Sequence, residues 1–431
     1  MNSRKLAFII PAVSFALCCS ISNAQTDFDS LPRVSAPTAY GEVVSTGIAA
    51  GASTFRALAP PPGVSLNSLD FSFSVKLGAS WHSNPARSDD DFESDAALTI
   101  NPNIRYQNSL GRHDYELFYS AGSESFSEFD TEDTDFQYFG GAIQLDFSKI
   151  LLGDFYASRT EGEEQRGASS SRNLDVAIPE DEFETTIFGG RVTLGRRTNI
   201  LQIYLGLEKG EFDFVNNAQD IRDRESDTID AGLFFNLGPK TALFLHARES
   251  DIDYLLSSPN LDSTETSITL GINWEANEAF SLTLEGGKLE KDFVDPAKAG
   301  FDGTTYLGKV SWTPTDRNNL TLYASRRTEE TPIGVADFYV SDLWGVDYSH
   351  QLGEQTTLTA YYVVAENDFS NGRFDQVTDY GLAIGYSALR WFDIGFSWGV
   401  ADRDSTDDTS DFEDEVYSIF LTLKPFWHEA E

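Results

Sequence analysis

Cysteine is almost absent from this chain of 431 residues, which contains two, Cys18 and Cys19. So few thiols exclude a disulfide scaffold, a zinc ribbon and an iron–sulfur protein. Basic residues are also scarce, because 31 lysines and arginines stand against 69 aspartates and glutamates, giving a formal net charge of −38. A chain this acidic is not expected to bind nucleic acid, since phosphate backbones attract basic surfaces.

Long apolar runs are missing as well. The longest, Leu6–Cys19, lies near the start of the chain and is shorter than the ~20 residues that cross a bilayer as a helix. Arg4 and Lys5 precede it, and the small residues of Ser22-Asn23-Ala24 follow, which is typical of a secretory signal peptide. We therefore predict that residues 1–24 are a signal peptide cleaved after Ala24, leaving an exported chain without cysteine.

Aromatic residues, by contrast, make up 13% of the chain, which argues against a disordered acidic protein. Residues 25–68 differ from the rest. They contain Pro32, Pro37 and the run Pro60–Pro62, and their apolar residues follow no regular period. We predict that this segment is a Pro-rich periplasmic leader.

From Leu69 to His82 the sequence alternates strictly between apolar and polar residues. The same period of two recurs to the end of the chain, as in residues 229–237, 268–274 and 394–400. A strand with one apolar face suits either a soluble sandwich or an outer-membrane barrel. The outer-membrane barrel is favoured because many strands reach 12–14 residues, whereas soluble strands average about five or six, and because aromatic residues concentrate at strand ends.

The connections between these strands alternate between short and long. The short ones are Asn108–Arg112, Ser148–Ile150, Gly195–Thr198, Gly238–Lys240, Ala276–Glu278, Pro314–Asn318, Gly353–Glu354 and Ala388–Arg390. The long ones are Ser83–Phe92, Ser127–Asp133, Gly162–Asp181, Phe214–Arg224, Leu255–Asp262, Lys291–Asp302, Glu330–Asp337, Asn367–Asp375 and Asp402–Ser410. They predict an all-β fold, a transmembrane antiparallel up-and-down β-barrel of about 18 strands over residues 69–427, with 16 strands as the alternative. An even number places both ends of the barrel in the periplasm.

Several short motifs then show a family resemblance. Near the start of the barrel stand Trp81-His82-Ser83-Asn84, Ser94-Asp95, Gly111-Arg112 and the alternating Tyr115–Tyr119. Further motifs follow in Arg222-Asp223-Arg224, Leu261-Asp262-Ser263, Ser311-Trp312-Thr313-Pro314 and Arg390-Trp391-Phe392. In order and spacing, from residue 68 to residue 426, the chain resembles an outer-membrane β-barrel porin family associated with exopolysaccharide export loci. The resemblance implies a role in moving or anchoring an exopolysaccharide, and it supplies no catalytic residues.

Signs of catalytic chemistry are weak. The five histidines show no pair at metal-ligand spacing, and the sequence contains no nucleophile elbow, phosphate loop or dinucleotide fingerprint. His246, with Glu249 and Asp251 close in sequence, is the nearest approach to a catalytic base, but lumen-facing polar residues explain it better. We therefore predict no enzyme, no catalytic residue, no metal and no cofactor.

The polar faces of the strands are the more informative candidates. A barrel of 16–18 strands encloses an aqueous channel unless it is plugged. Its wall could offer charged groups and tyrosines to a sugar, or these groups could simply pair with one another inside a solvated barrel. The predicted lumen-lining residues are Lys76, Arg105, Glu116, Tyr156, Arg191, Tyr204, His246, Arg248, Lys309, Tyr323, Tyr361 and Lys424.

The barrel pattern predicts a passive conduit in the outer membrane, and the family resemblance implies that it takes part in exopolysaccharide export. Two alternatives stay open: a general diffusion porin for small solutes, and a non-conducting surface adhesin or matrix anchor. The expected partners are outer-membrane lipid and lipopolysaccharide, with a polysaccharide and periplasmic export components as further candidates. No nucleic-acid partner is expected.

Overall fold

A computed structural model describes residues 70–89, 93–164, 166–168, 178–256, 260–331 and 336–424. The predicted signal peptide and Pro-rich leader lie outside the described residues, as do residues 425–427 at the end of the predicted barrel. Within the described ranges, no helix is long and apolar enough to cross a membrane.

The described chain forms one antiparallel sheet of 18 strands in which each strand pairs with the next. β1 also pairs with β18, so the sheet closes into a barrel, and the predicted count of 18 strands is confirmed over the alternative of 16. The strands are β1 Asp70–His82, β2 Asp95–Leu110, β3 His113–Phe126, β4 Thr134–Ser148, β5 Leu151–Glu164, β6 Asp181–Leu194, β7 Leu201–Phe214, β8 Arg224–Gly238, β9 Thr241–Tyr254, β10 Ser263–Asn277, β11 Phe280–Phe293, β12 Phe301–Thr315, β13 Asn318–Glu329, β14 Tyr339–Gln351, β15 Thr356–Phe369, β16 Phe374–Leu389, β17 Phe392–Ser405 and β18 Phe412–Leu423.

Burial alternates along the strands as the period of two requires. On β10, Ile268 and Leu270 are exposed while Thr269 between them is buried. The outer face is apolar around the barrel, whereas the inner face combines polar side chains with buried aromatic ones such as Phe234 and Phe244. A protein surface of this kind is stable where hydrocarbon rather than water surrounds it.

One predicted connection is wrong in length. The segment Asn367–Asp375 was expected to be a long loop, but β15 and β16 are joined by the four residues 370–373. Gly372 adopts a φ of +90°, which a glycine reaches without strain, and Arg373 pairs with Asp375 at 2.6 Å. These two features stabilise a tight turn, although the polar residues of this segment predicted a long loop.

Two outward-facing rows of aromatic residues mark the borders of the apolar belt. At the end with the longer loops, adjacent strands carry Trp344, Tyr362, Tyr380, Trp398, Tyr417 and Trp81. Ring centroids lie 5.5–6.0 Å apart in four of the five neighbouring pairs. Toward the short turns lie Tyr106, Tyr115, Trp274, Trp312 and Trp391. Aromatic side chains favour the two membrane interfaces, so the belt between these rows faces hydrocarbon.

Candidate functional site

The barrel interior is the candidate site, and all twelve predicted lumen-lining side chains lie on its inner face. Register shows this most clearly at β11–β13, where Thr283 of β11 lies opposite Lys309, and Lys309 lies opposite Tyr323. Directly opposed residues share a face, so these positions line the interior together. A contact of these side chains with cargo stays a prediction.

Seven inner-face residues from β5 to β11 form a connected set, which we call the lumen ladder: Tyr156, Arg191, Tyr204, Glu208, Asp230, His246 and Glu285. His246 joins two of its carboxylates, with Nδ1 at 3.0 Å from Glu285 Oε1 and Nε2 at 3.5 Å from Asp230 Oδ2. Arg191 lies 3.7 Å from Asp230 and stacks over the Tyr204 ring at 4.1 Å. The Tyr156 hydroxyl donates to Glu208, and the Thr269 hydroxyl donates to Glu285.

Burial explains why these groups pair. Arg191, Glu208 and Asp230 are all buried on the inner wall. A buried charge is stable only when opposite charges and hydrogen bonds compensate it. The ladder therefore holds its carboxylates and cations in fixed positions and presents a wall with little net charge.

The remaining predicted residues are paired differently. Arg105 contacts Glu116 at 2.8 Å, Lys76 lies 4.2 Å from the centre of the Phe420 ring, and Lys424 pairs with Asp393. The Tyr361 hydroxyl donates to Asp379 at 2.8 Å. These pairs extend the mixed-charge lining to the strands beside the β1–β18 closure.

The wall at β12 is more open. Lys309 is exposed toward the interior, and so is Leu307, which shares its face two residues away and is 43% exposed. Leu307 lies directly opposite Glu285 of the lumen ladder. This part of the lining therefore presents a lysine side chain and an apolar side chain to whatever occupies the lumen.

Sequence proximity gave the wrong partners for His246. Glu249 and Asp251 are an odd number of residues away, so they point to the opposite face of β9. The carboxylates that do contact His246, Asp230 and Glu285, come from β8 and β11. Among the described residues, no group of three or more His, Cys, Asp or Glu side chains could hold a metal ion.

Glu208 and Asp230 were missing from the predicted lining. Asp230 stands between Ile229 and Ala231 in a clear alternation, so its polar phase was readable. Glu208 begins the charged stretch Glu208–Glu211, in which neighbouring charges on both faces conceal the period of two.

A closed barrel with an apolar outside, aromatic borders and a charged interior is the architecture of an outer-membrane pore. The sequence matches the family described as "Putative beta-barrel porin 2" over residues 68–425. The chain belongs to this family. The family and the fold place it in the outer membrane, and the predicted resemblance to a β-barrel porin family is confirmed.

Comparison with curated proteins gives no match for this porin-family chain. Solved structures with similar overall shape include OccK2 (OpdF) of Pseudomonas aeruginosa in complex with glucuronate, at 13% identity and a TM-score of 0.45, covering 84% of this chain and 99% of the other. A BenF-like porin from Pseudomonas fluorescens Pf-5 matches at 12% identity and 0.45, covering 84% and 100%. OccAB4 of Acinetobacter baumannii matches at 11% and 0.43, covering 84% and 99%.

Proposed function

We propose that this porin-family barrel is a passive, non-enzymatic conduit that takes part in exopolysaccharide export. The observation that carries the proposal is the lumen ladder, a connected polar wall inside a closed barrel. The ladder combines hydroxyl, carboxylate, guanidinium and imidazole groups, which together donate and accept hydrogen bonds as sugar hydroxyls require.

The ladder's internal pairing suits passage rather than tight binding. Because His246 lies 3.0 Å from Glu285 and 3.5 Å from Asp230, these charges partly compensate one another within the wall, and a sugar chain exchanges water contacts for wall contacts. Conduction requires contacts strong enough to admit the cargo and weak enough to release it. Outer-membrane lipid and lipopolysaccharide are the proposed surroundings, with periplasmic export components as proposed partners.

Planar-bilayer recording tests this proposal. The purified protein is inserted into a bilayer, and an acidic polysaccharide is added to one side at a time. Reversible interruption of the current supports the conduit. Current that continues unchanged while small sugars pass overturns it in favour of a diffusion porin, and an inserted barrel without current overturns it in favour of a surface anchor.

A matched pair of variants connects the result to the ladder. His246→Asn removes the link between Asp230 and Glu285, whereas Leu245→Asn changes the preceding residue, which faces outward. The conduit predicts that His246→Asn changes the duration of each blocking event. Equal blocking times in His246→Asn and the unmodified protein would show that the ladder does not contact the polymer.

A further inference from the structure

The periplasmic rim of the barrel carries most of its positive charge on one side. The short turns lie at the end where β1 begins and β18 ends, which is the periplasmic end of an outer-membrane barrel. Four of these turns are adjacent around the rim, because they join β2 to β3, β4 to β5, β6 to β7 and β8 to β9. They hold five basic residues, which we call the basic crescent: Arg112, Lys149, Arg196, Arg197 and Lys240.

The composition of these four turns differs from that of the rest of the chain. Acidic residues outnumber basic ones by 69 to 31 in the whole sequence. The four turns of the crescent, all of which the structure describes, contain no aspartate or glutamate. The other four short turns hold two arginines and three acids, Glu278, Asp316 and Glu354. Positive charge is therefore concentrated on the arc of the rim from β2 to β9.

Hydrogen bonds from turn to turn hold the basic crescent in position. Arg112 donates to a carbonyl oxygen at the end of β4 at 2.8 Å, and Arg196 donates to one in the β4–β5 turn at 3.2 Å. Arg197 donates to a carbonyl oxygen in the β8–β9 turn at 3.0 Å, and Lys240 donates to one at the end of β10 at 3.3 Å. A carbonyl oxygen carries no net charge, so these bonds position the cations without neutralising them.

Two carboxylates show that part of the crescent lies over the pore opening. Arg196 pairs with Asp146 of β4 at 2.7 Å. Glu275 of β10 interacts electrostatically with Arg197 and Lys240. The chain neighbours of both acids are exposed on the outer face, so the alternation along the strands places both carboxylates on the inner face. These cations therefore border the lumen rather than the lipid, and two acids against five cations leave the crescent positive.

The basic crescent and the lumen ladder occupy the same side of the barrel. The crescent spans β2 to β9 and the ladder spans β5 to β11, so the strands from β5 to β9 connect the two. Arg191 on β6 and Tyr204 on β7 lie close to the turn that holds Arg196 and Arg197. A chain that is held at the crescent is therefore already at the entrance to the polar wall.

We propose that the basic crescent is the periplasmic docking surface for an anionic polysaccharide that bears carboxylates along its chain. The inference rests on the proposed conduit function and names the charge of the cargo. Guanidinium and ammonium groups bind carboxylates through charge-assisted hydrogen bonds. In a protein with a net charge of −38, a positive patch also directs an anion to one place, because the remaining surface repels it.

The spacing of the crescent favours a polymer over a small anion. Adjacent turns lie two strand spacings apart, about 10 Å. A chain that carries a charge on each sugar contacts several turns at once, and each further contact is intramolecular once the first has formed. A small solute with one carboxylate contacts a single turn and gains no such advantage.

Binding of fluorescently labelled oligogalacturonate to the protein in phosphatidylcholine nanodiscs tests the proposal. The crescent variant, Lys149→Gln with Lys240→Gln, removes two exposed cations of the crescent. The control variant, Arg317→Gln with Arg390→Gln, removes two exposed cations from turns outside it, so the change in net charge is the same. Fluorescence anisotropy at low ionic strength measures the Kd. We expect the Kd to rise roughly three- to tenfold for the crescent variant and less than about twofold for the control variant.

Two further measurements separate charge from other effects. Lys149→Arg with Lys240→Arg keeps both charges and should bind as the unmodified protein does, which excludes misfolding of the rim as the cause. At about 1 M salt the difference between the crescent and control variants should disappear, because screening removes the attraction between exposed charges. Equal binding of a neutral maltodextrin to the unmodified protein would overturn the proposal.

The remaining outcomes distinguish this proposal from the conduit itself. Equal Kd values in the crescent and control variants would overturn the crescent as a docking surface and leave the conduit intact, since block of the current is measured separately. Unchanged polymer binding with a selective loss of bound phosphatidylglycerol in the crescent variant would assign the crescent to lipid headgroups instead. Absence of oligogalacturonate binding to the unmodified protein would overturn the crescent, and absence of current block as well would overturn the conduit.

Discussion

Two single substitutions on adjacent strands, Leu284→Arg on the outer face of β11 and Leu307→Arg on the inner face of β12, distinguish a lipid-facing wall from a water-facing one. Leu284 on β11 and Leu307 on β12 are 47% and 43% exposed, so neither substitution removes a buried core residue. Leu307 is paired with Glu285, the neighbour of Leu284, so the two leucines lie close together and face opposite sides. Leu284 lies between the aromatic row at Trp274 and the charged Lys288, within the apolar belt.

The expected energies differ strongly. Arginine on the lipid face near the middle of a bilayer destabilises a barrel by about 2–4 kcal/mol, which is roughly a 30- to 900-fold change in the folding equilibrium. Leu307→Arg places the charge in the solvated interior opposite Glu285, and the expected change is within about 1 kcal/mol. Urea unfolding in phospholipid vesicles, followed by tryptophan fluorescence, measures both values. Equal destabilisation by the two arginines would refute the assignment of inner and outer faces.

Three further predictions concern the mouth and the field of the barrel. Glu330→Ala leaves the fully buried Lys291 without its carboxylate, so we expect the free energy of unfolding to fall by about 3–5 kcal/mol. Asp337→Ala breaks the more exposed pair with Lys298, and we expect a decrease of at most ~1 kcal/mol. Urea unfolding measures both values. Folding lowers the pKa of Glu330, so the stabilisation that its carboxylate contributes is present above pH 4.5, the ordinary pKa, and is lost as the pH falls through the lower pKa of the folded state. Hydrogen exchange of residues 329–331 should accelerate in that lower pH range in the unmodified protein, but not in Glu330→Gln. The net charge of −38 predicts cation selectivity, so a KCl gradient should give a reversal potential of the sign for potassium, and an anion-selective sign would contradict this.

Much of the fold could be predicted from the sequence because side chains along each strand of a transmembrane barrel alternate between the outer and the inner face. The alternation of Leu69–His82 and its repeats located the strands, and the alternation of short and long connections gave their number. The same period assigned Arg191, Tyr204 and His246 to the inner face, since a residue's phase decides its side. The alternation along the strands and the lengths of the connections were therefore sufficient to predict the architecture of the barrel.

Partnerships between strands were not readable in the same way. The contact of His246 with Asp230 and Glu285 depends on register between neighbouring strands, which the phase of one strand leaves undetermined. The contact between Arg403 and Gly167 depends on the path of a connection across the mouth, between residues more than 200 positions apart. Such contacts arise from closure of the whole barrel, so local patterns cannot predict them.

The central claim is that the apolar side of every strand faces hydrocarbon and the polar side faces an aqueous interior. Single cysteines along residues 281–287 of β11, each carrying a nitroxide label, test it directly, because the two natural cysteines fall within the predicted signal peptide. In lipid vesicles, even-numbered positions should be accessible to oxygen and odd-numbered positions to a water-soluble relaxation agent. Accessibility to the water-soluble agent at every position would contradict the account.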